Sequence, residues 1–349
     1  MAFSRRTFVA GIGAVLSGAV LPRGAHAAFG GAEEQALYAA AKAEGELTWY
    51  TAHYDATLAE DYARAFAARY AGVKCNVVRT TAQVAYQRLT QELKAGGPQV
   101  DVLGSTDISH FLELKTRGLL EKFVPANAGT VIPAVQNIDA DGTYHVTSLG
   151  VVGITLNTSK VKAEERPKSW PDLVDPKWKN QVSVGHPAFS GYVGVWCYEM
   201  QRLYGWEYFE KLNASKPQIG RSIQDTLTML RSGERSLAAG ATQTANEAKS
   251  KGEPIEVVYP SDGTIVVVSP SGIIKGAKHP NAAKLFMEFM LTEEASALSN
   301  ARFQEPLHAS ITPKSGVALS SIKTLIAKPE ALLKAIPDIK EKWRDTFGI

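Results

Sequence analysis

Beyond its first 27 residues the chain has no apolar run of about 20 residues, the length a membrane-spanning helix needs. It also lacks any dense run of lysine or arginine, and 38 basic against 35 acidic residues leave a formal charge of +3. That balance excludes the basic stripe of a nucleic-acid-binding chain. With two cysteines, Cys75 and Cys197, it is no disulfide-built scaffold. Gly-x-Ser-x-Gly and His-Glu-x-x-His are missing, no Ser-x-x-Lys stands with its partner motifs, and the seven histidines show no metal-ligand spacing. The acidic pairs Glu33-Glu34, Glu164-Glu165 and Glu293-Glu294 read as solvated helix faces. A secreted hydrolase therefore has no sequence support, and the reading implies no enzyme activity and no cofactor.

What is present is an ordinary globular composition, 45% hydrophobic and 21% charged, over 349 residues, enough for two domains. Residues 1–27 stand apart. Arg5-Arg6 precede Phe8, an apolar Gly/Ala-rich run covers Ala10 to Leu21, and Ala25-His26-Ala27 supplies small residues for cleavage. This is the pattern of an export signal of the twin-arginine type, removed after about Ala27. The expected location is the periplasm, with no membrane-spanning segment after cleavage. In that oxidising compartment a disulfide is permitted, but Cys75 lies in a strand-like segment and Cys197 in a helical one, in different lobes. Two buried free thiols are expected.

Two uncharged, β-branched, glycine-containing stretches organise the remainder: Thr147 to Thr158, and Gly263 to Ile274. Each reads as a strand that crosses from one lobe to another. Before the first, apolar stripes and turn signals give alternating elements. Strands are expected at 47–51, 73–79 and 100–103, with helices at 37–43, 57–70, 84–95 and 108–117. Between the crossings, strands at 182–184, 236–239 and 255–259 alternate with helices at 194–204, 206–212, 225–231 and 242–251. After the second crossing a helix covers 282–291, and 320–347 reads as mostly amphipathic helix. The pattern predicts an α/β protein of two lobes, each a mixed, mostly parallel sheet flanked by helices, joined by a two-strand hinge. The expected division is 28–147 with 262–305 as lobe 1, and 148–261 with 306–349 as lobe 2.

Several segments in this order resemble the solute-binding proteins of ABC importers, in the branch that contains ferric-ion, phosphonate, thiamine and polyamine binders. They are Gly45-Glu46-Leu47-Thr48-Trp49-Tyr50, Val100-Asp101-Val102, Thr155-Leu156-Asn157-Thr158, Ser169-Trp170-Pro171-Asp172-Leu173 and Lys179-Asn180-Gln181-Val182. The last runs from Lys275-Gly276-Ala277-Lys278-His279-Pro280-Asn281 through Phe286 to Glu293-Glu294-Ala295. The resemblance covers about residues 45 to 300. It implies the type II periplasmic binding protein fold, a small-molecule ligand held between the lobes, and an inner-membrane ABC permease as partner. A monomer is expected.

In such sheets ligands meet the loops at the carboxyl ends of strands, where helix starts offer unpaired N–H groups to anions. The expected ligand residues are Thr51, His53 and Tyr54 after the first strand, and Ser105 and Thr106 after the third. In the second lobe they are Ser190, Gly191 and Tyr192 before a helix, Arg221 and Ser222 before another, and Thr242. Asp262 lies beside the second crossing. For most of these, helix or turn capping is the competing role: Asp55 or Thr57, Thr106 or Asp107, and Asp262 with Gly263 fit it equally. Arg221 competes with an ordinary surface arginine. The favoured solute is small, polar and anionic: a phosphonate, phosphate ester or organic carboxylate. Ferric-ion binders of this resemblance carry two adjacent tyrosines where this chain reads Ala241-Thr242-Gln243, which disfavours ferric ion. His53, Asp55 and Asp262 are left as a weaker metal alternative. A polyamine fits less well because carboxylates are not clustered.

Overall fold

The computed structural model describes residues 30–349; the export-signal reading lies outside them. The elements in chain order are α1 (Gly31–Glu44), β1 (Glu46–Thr51), α2 (Ala56–Arg69), β2 (Lys74–Arg79), α3 (Ala82–Lys94), β3 (Val102–Gly104), α4 (Ser109–Thr116) and β4 (His145–Asn157). Next come β5 (Val182–Val184), α5 (Gly191–Tyr204), α6 (Glu207–Ala214), β6 (Gln218–Ile219), α7 (Asp225–Arg231), β7 (Leu237–Ala241), α8 (Thr242–Ser250) and β8 (Ile255–Val258). The chain ends with β9 (Thr264–Ile273), α9 (Pro280–Met290), α10 (Glu293–Ala301), β10 (Thr324–Ile326) and α11 (Pro329–Phe347).

One sheet runs through both lobes in the order β2-β1-β3-β9-β4-β7-β5-β6, with β10 on β9 and β8 on β4. The two long strands are its waist. β4 and β9 pair antiparallel from His145–Ser271 to Val152–Ile265, with a register shift between Val146 and Ser148. On one side, β1 joins β2 and β3 in parallel, and β3 meets the end of β9. On the other, the end of β4 takes β7 and β8, and β5 lies parallel to β7 and β6. This is the expected two-lobed α/β fold with a two-strand hinge. Both hinge strands are buried on both faces, which is why their sequences run apolar without alternation.

Local chemistry sets the elements. The Asp55 carboxylate accepts from Leu58 N at 2.8 Å to start α2, whose stripe of Leu58, Tyr62 and Phe66 is buried against Trp49, Phe286 and Phe289. Each such side chain contributes roughly 1.5–3 kcal/mol through burial. Cys75 and Cys197 are free and buried.

The tail is mostly helix, as expected, with α11 covering Pro329–Phe347; ahead of it Thr324–Ile326 pairs with β9 at the sheet edge. One helix start needs correction. α5 begins at Gly191, three residues before the expected start, so Gly191 and Tyr192 are its first turn and Ser190 its N-cap. A separate helix, α10, is capped by Thr292, which accepts from Ala295 N at 3.2 Å. α11 packs on α5 and α6 and also reaches α4.

Candidate functional site

The ends of β1, β2 and β3 deliver three loops to the mouth between the lobes, and α5, α7 and α8 start opposite them. The resulting cleft has two small recesses that share His53, Tyr192 and Gln224. One, of about 30 Å³, also takes in Arg79, Thr81, Thr106, Phe189, Ser190 and Ser222. The other, of about 10 Å³, reaches Tyr54, Thr242, Gln243, Gln304 and Glu305.

The two sides touch. A Cβ on Gly191 would lie 2.2 Å from the Thr106 carbonyl oxygen, so only glycine lets α5 approach the loop after β3 this closely. Gly150 serves the same purpose beneath the site: a Cβ there would fall 2.2 Å from the Tyr192 hydroxyl, so the tyrosine lies flat on the hinge strand. A second bridge is ionic. The Arg302 guanidinium donates to Asp55 at 3.2 and 3.0 Å and to Glu247 of α8 at 3.2 and 3.4 Å, tying the first lobe to the second.

Seven of the residues expected from sequence come together here: His53, Tyr54, Thr106, Ser190, Tyr192, Ser222 and Thr242. His53 has the clearest assignment. Its Nε2 is 3.1 Å from the Pro270 carbonyl, which can only accept, so Nε2 carries the proton. Burial holds its pKa down at about 4, leaving a neutral ring whose buried Nδ1 has no partner among the described residues. That atom is an acceptor waiting for a donor. Tyr192 is pushed up to about 12 by burial, and burial likewise raises Tyr54 well above the ordinary value. Both phenols therefore remain neutral at physiological pH. The Tyr54 hydroxyl is already used, donating to the Thr147 carbonyl at 3.2 Å.

The other five expected residues occupy different positions. Thr51 is buried beneath the loop, its Oγ1 accepting from His53 N at 3.3 Å. Ser105 is turned inward, 3.0 Å from His110 Nδ1 and accepting from Asp107 N at 3.1 Å. Gly191 supplies the close approach rather than a side chain. Arg221 is exposed at the rim, 5.1 Å over the Phe189 ring. Asp262 sits at the β8–β9 turn, accepting from Trp170 N at 3.0 Å and from the Tyr204 hydroxyl.

Sequence reasoning passed over Arg79, Thr81, Gln224, Gln304 and Glu305. The signal for the first two was available, since the loop after β2 obeys the same carboxyl-end rule as its neighbours. Arg79 is exposed, as Arg221 is, but it lines the recess; its Nε donates to the Tyr54 carbonyl at 2.7 Å, and Asp55 acts on its charge from beyond ion-pair distance. Thr81 is the N-cap of α3 without a side-chain cap bond, and its Oγ1 is buried without a partner. Ser190 likewise leaves α5 without a side-chain cap bond. Two helix starts, an arginine and a neutral histidine acceptor thus face one narrow space. The arrangement suits an anion at the helix starts and a hydroxyl or amine donor at His53. Among the described residues no group of three or more His, Cys, Asp or Glu stands together to hold a metal ion, and no helix is long and apolar enough to cross a membrane.

Known proteins share this architecture. The chain is 26% identical over 291 residues to iron uptake protein A1 of Synechocystis, covering 78% of this chain and 79% of that one. It is 22% identical over 281 residues to a putative 2-aminoethylphosphonate-binding periplasmic protein of Salmonella paratyphi A, covering 77% of each. Among solved structures, the periplasmic binding protein AfuA from Actinobacillus pleuropneumoniae, with fructose-6-phosphate bound, superposes with a TM-score of 0.78 at 24% identity. That match covers 87% of this chain and 99% of AfuA. Iron-bound HitA from Pseudomonas aeruginosa gives 0.74 at 22% identity, covering 86% and 99%. At these identities the structural likeness shows the fold. Residues 98–320 match the family model described as bacterial extracellular solute-binding protein. By that match, the chain belongs to the bacterial extracellular solute-binding protein family.

Proposed function

We propose that this protein is the substrate-binding component of an ABC importer, and that it captures a small solute carrying a phosphonate or phosphate ester in the interlobe cleft. The observation that carries this reading is the unpaired Arg79 guanidinium beside the uncapped starts of α3 and α5. The anion takes the arginine and the helix amides. A hydroxyl or amine elsewhere on the solute donates to His53 Nδ1, and Ser190, Ser222 and Thr106 complete the wall. Among relatives, the named phosphonate binder and the sugar-phosphate complex have ligands of this composition.

The protein makes and breaks no bond. The solute contacts both sides only while Thr106 and Gly191 are together, so it shifts the open–closed balance by its differential affinity. The closed form is the one a membrane permease engages, after export of the chain to the periplasm as a monomer.

Thermal denaturation of the mature protein with 2-aminoethylphosphonate, fructose-6-phosphate, putrescine or ferric citrate tests the class. A phosphonate or phosphate ester at 100 times its Kd stabilises by about 2.7 kcal/mol, and Arg79→Ala removes the shift. Stabilisation by ferric citrate alone, unaffected by Arg79→Ala, overturns the assignment.

A further inference from the structure

A much larger cavity, of about 400 Å³, lies outside the polar cleft. Its floor is the two hinge strands and the short strand beside them: Leu149 of β4, Val266 of β9, and Thr324 and Ile326 of β10. Residues 132–135 and, from the segment that follows Glu305, Pro306, Ile311, Pro313, Ala318, Leu319 and Ser320 form the walls, all but Ser320 apolar. The single charged residue in the lining is Glu305. Its carboxylate has no ion pair or hydrogen bond among the described residues, while its backbone is tied to Leu149 of the hinge. An unpaired carboxylate in an apolar wall is costly unless it is protonated or meets a cation.

We propose that this cavity is a second ligand site, separate from the solute cleft, that takes a compact apolar molecule bearing one cationic amine, with the amine paired to Glu305. The volume falls in the range of about 300–1,000 Å³ usual for small-molecule sites. The lining has the usual composition of such sites, an apolar surround with one orienting polar group. Charge complementarity selects the amine over an alcohol or a carboxylate of the same apolar body. Because the floor includes both hinge strands, an occupant touches the elements on which the lobes move. Glu305 and Leu149 also border the smaller recess of the cleft, so the two sites share a wall. Burial lifts the Glu305 pKa to about 7, which places the loss of its charge within the accessible pH range.

The test is a calorimetric titration of the mature protein with n-octylammonium, n-octanol and octanoate at pH 8 and pH 5.5. At pH 8 octylammonium binds at one site about ten-fold more tightly than octanol, and octanoate more weakly than either, as expected for one charge-assisted contact. The amine's advantage disappears at pH 5.5 and in Glu305→Gln. Ala134→Trp, at an exposed position of the lining, blocks the cavity and abolishes binding without touching the carboxylate. Three results overturn the proposal: no saturable binding by any probe, an amine no tighter than the alcohol, or octylammonium affinity unchanged in both variants. Ala134 lines only the cavity, so a phosphonate titration of Ala134→Trp reads the solute cleft separately.

Discussion

The solute cleft and the hinge cavity differ in opposite ways. The cleft has converging polar groups and little room: recesses of about 30 and 10 Å³ with a histidine acceptor, an unpaired arginine and two helix starts. The cavity has about 400 Å³ and a single charged group. Volume alone points to the cavity, and the polar groups point to the cleft. Recognition of a polar solute needs donors and acceptors fixed before binding, and those lie where the strand ends of two lobes meet. The cleft is narrow because its lobes touch at Thr106 and Gly191, whereas the cavity's size comes from the way 132–135 and 306–320 arch over the hinge.

The most disruptive way to probe this contrast is Gly191→Ala. The added Cβ has to displace backbone of the loop after β3, so the lobes stop short of contact. Solute affinity is expected to fall on the order of 100-fold, about 2.7 kcal/mol, with a larger radius of gyration under saturating solute by small-angle scattering. Binding and scattering like those of the parent would show that the contact is not part of closure. Next in size is Arg79→Met, which removes a charge-assisted contact worth roughly 1.5–3 kcal/mol and keeps most of the side chain's bulk. Arg221→Ala, made alongside it, is expected to change affinity little, because that guanidinium packs over Phe189 at the rim. Equal losses in the two variants would erase the distinction between cleft and rim.

Much of the fold was legible because it rests on periodicity. The stripe of Leu58, Tyr62 and Phe66, and the two uncharged hinge runs, can each be satisfied in one way. Within the tail the strand Thr324 to Ile326 was not read, because three residues are too few to show an alternation before α11 begins. The site was only partly legible, for two reasons. Ser105 carries the right group at the right strand end, yet its hydroxyl serves His110 and Asp107, a choice made by neighbours that no spacing reveals. Arg79 was passed over because it was read only as the end of an alternating segment, although it stands at the carboxyl strand end where ligands are expected. The structure adds that α3 and α5 start on either side of the recess it lines. Gln304 and Glu305 reach the hinge from a stretch distant in sequence, so no local pattern marked them.

A smaller effect is expected from the ionic bridge. Arg302→Gln breaks the contacts to Asp55 and Glu247. These partly exposed pairs are worth about 0.5–1 kcal/mol at low salt. The solute Kd should rise several-fold at low salt and converge with the parent's near 1 M, where screening acts over about 3 Å. A Kd ratio that does not depend on salt would mean that the arginine acts through packing.

The test that separates the two regions by sign is in pH. The pKa of His53 in the cleft is lowered by folding to about 4. Its contribution to stability is therefore present above the unfolded value near 6.5 and is lost as pH falls through 4. Glu305, in the wall shared with the cavity, is raised to about 7. Its contribution is complete below the unfolded value near 4.5 and is lost as pH rises through 7. From pH 4.5 to 6.5 the two slopes oppose each other in the parent protein. Glu305→Gln removes one of them, so its melting temperature should gain on the parent's as pH rises from 4.5 to 8. His53→Gln should gain on the parent as pH falls from 6.5 to 4. Calorimetric melting temperatures across that range decide it. A Glu305→Gln offset constant with pH would mean that the carboxylate is as well solvated in the folded chain as in the unfolded one. In that case the wall between cleft and cavity would not be apolar at that point.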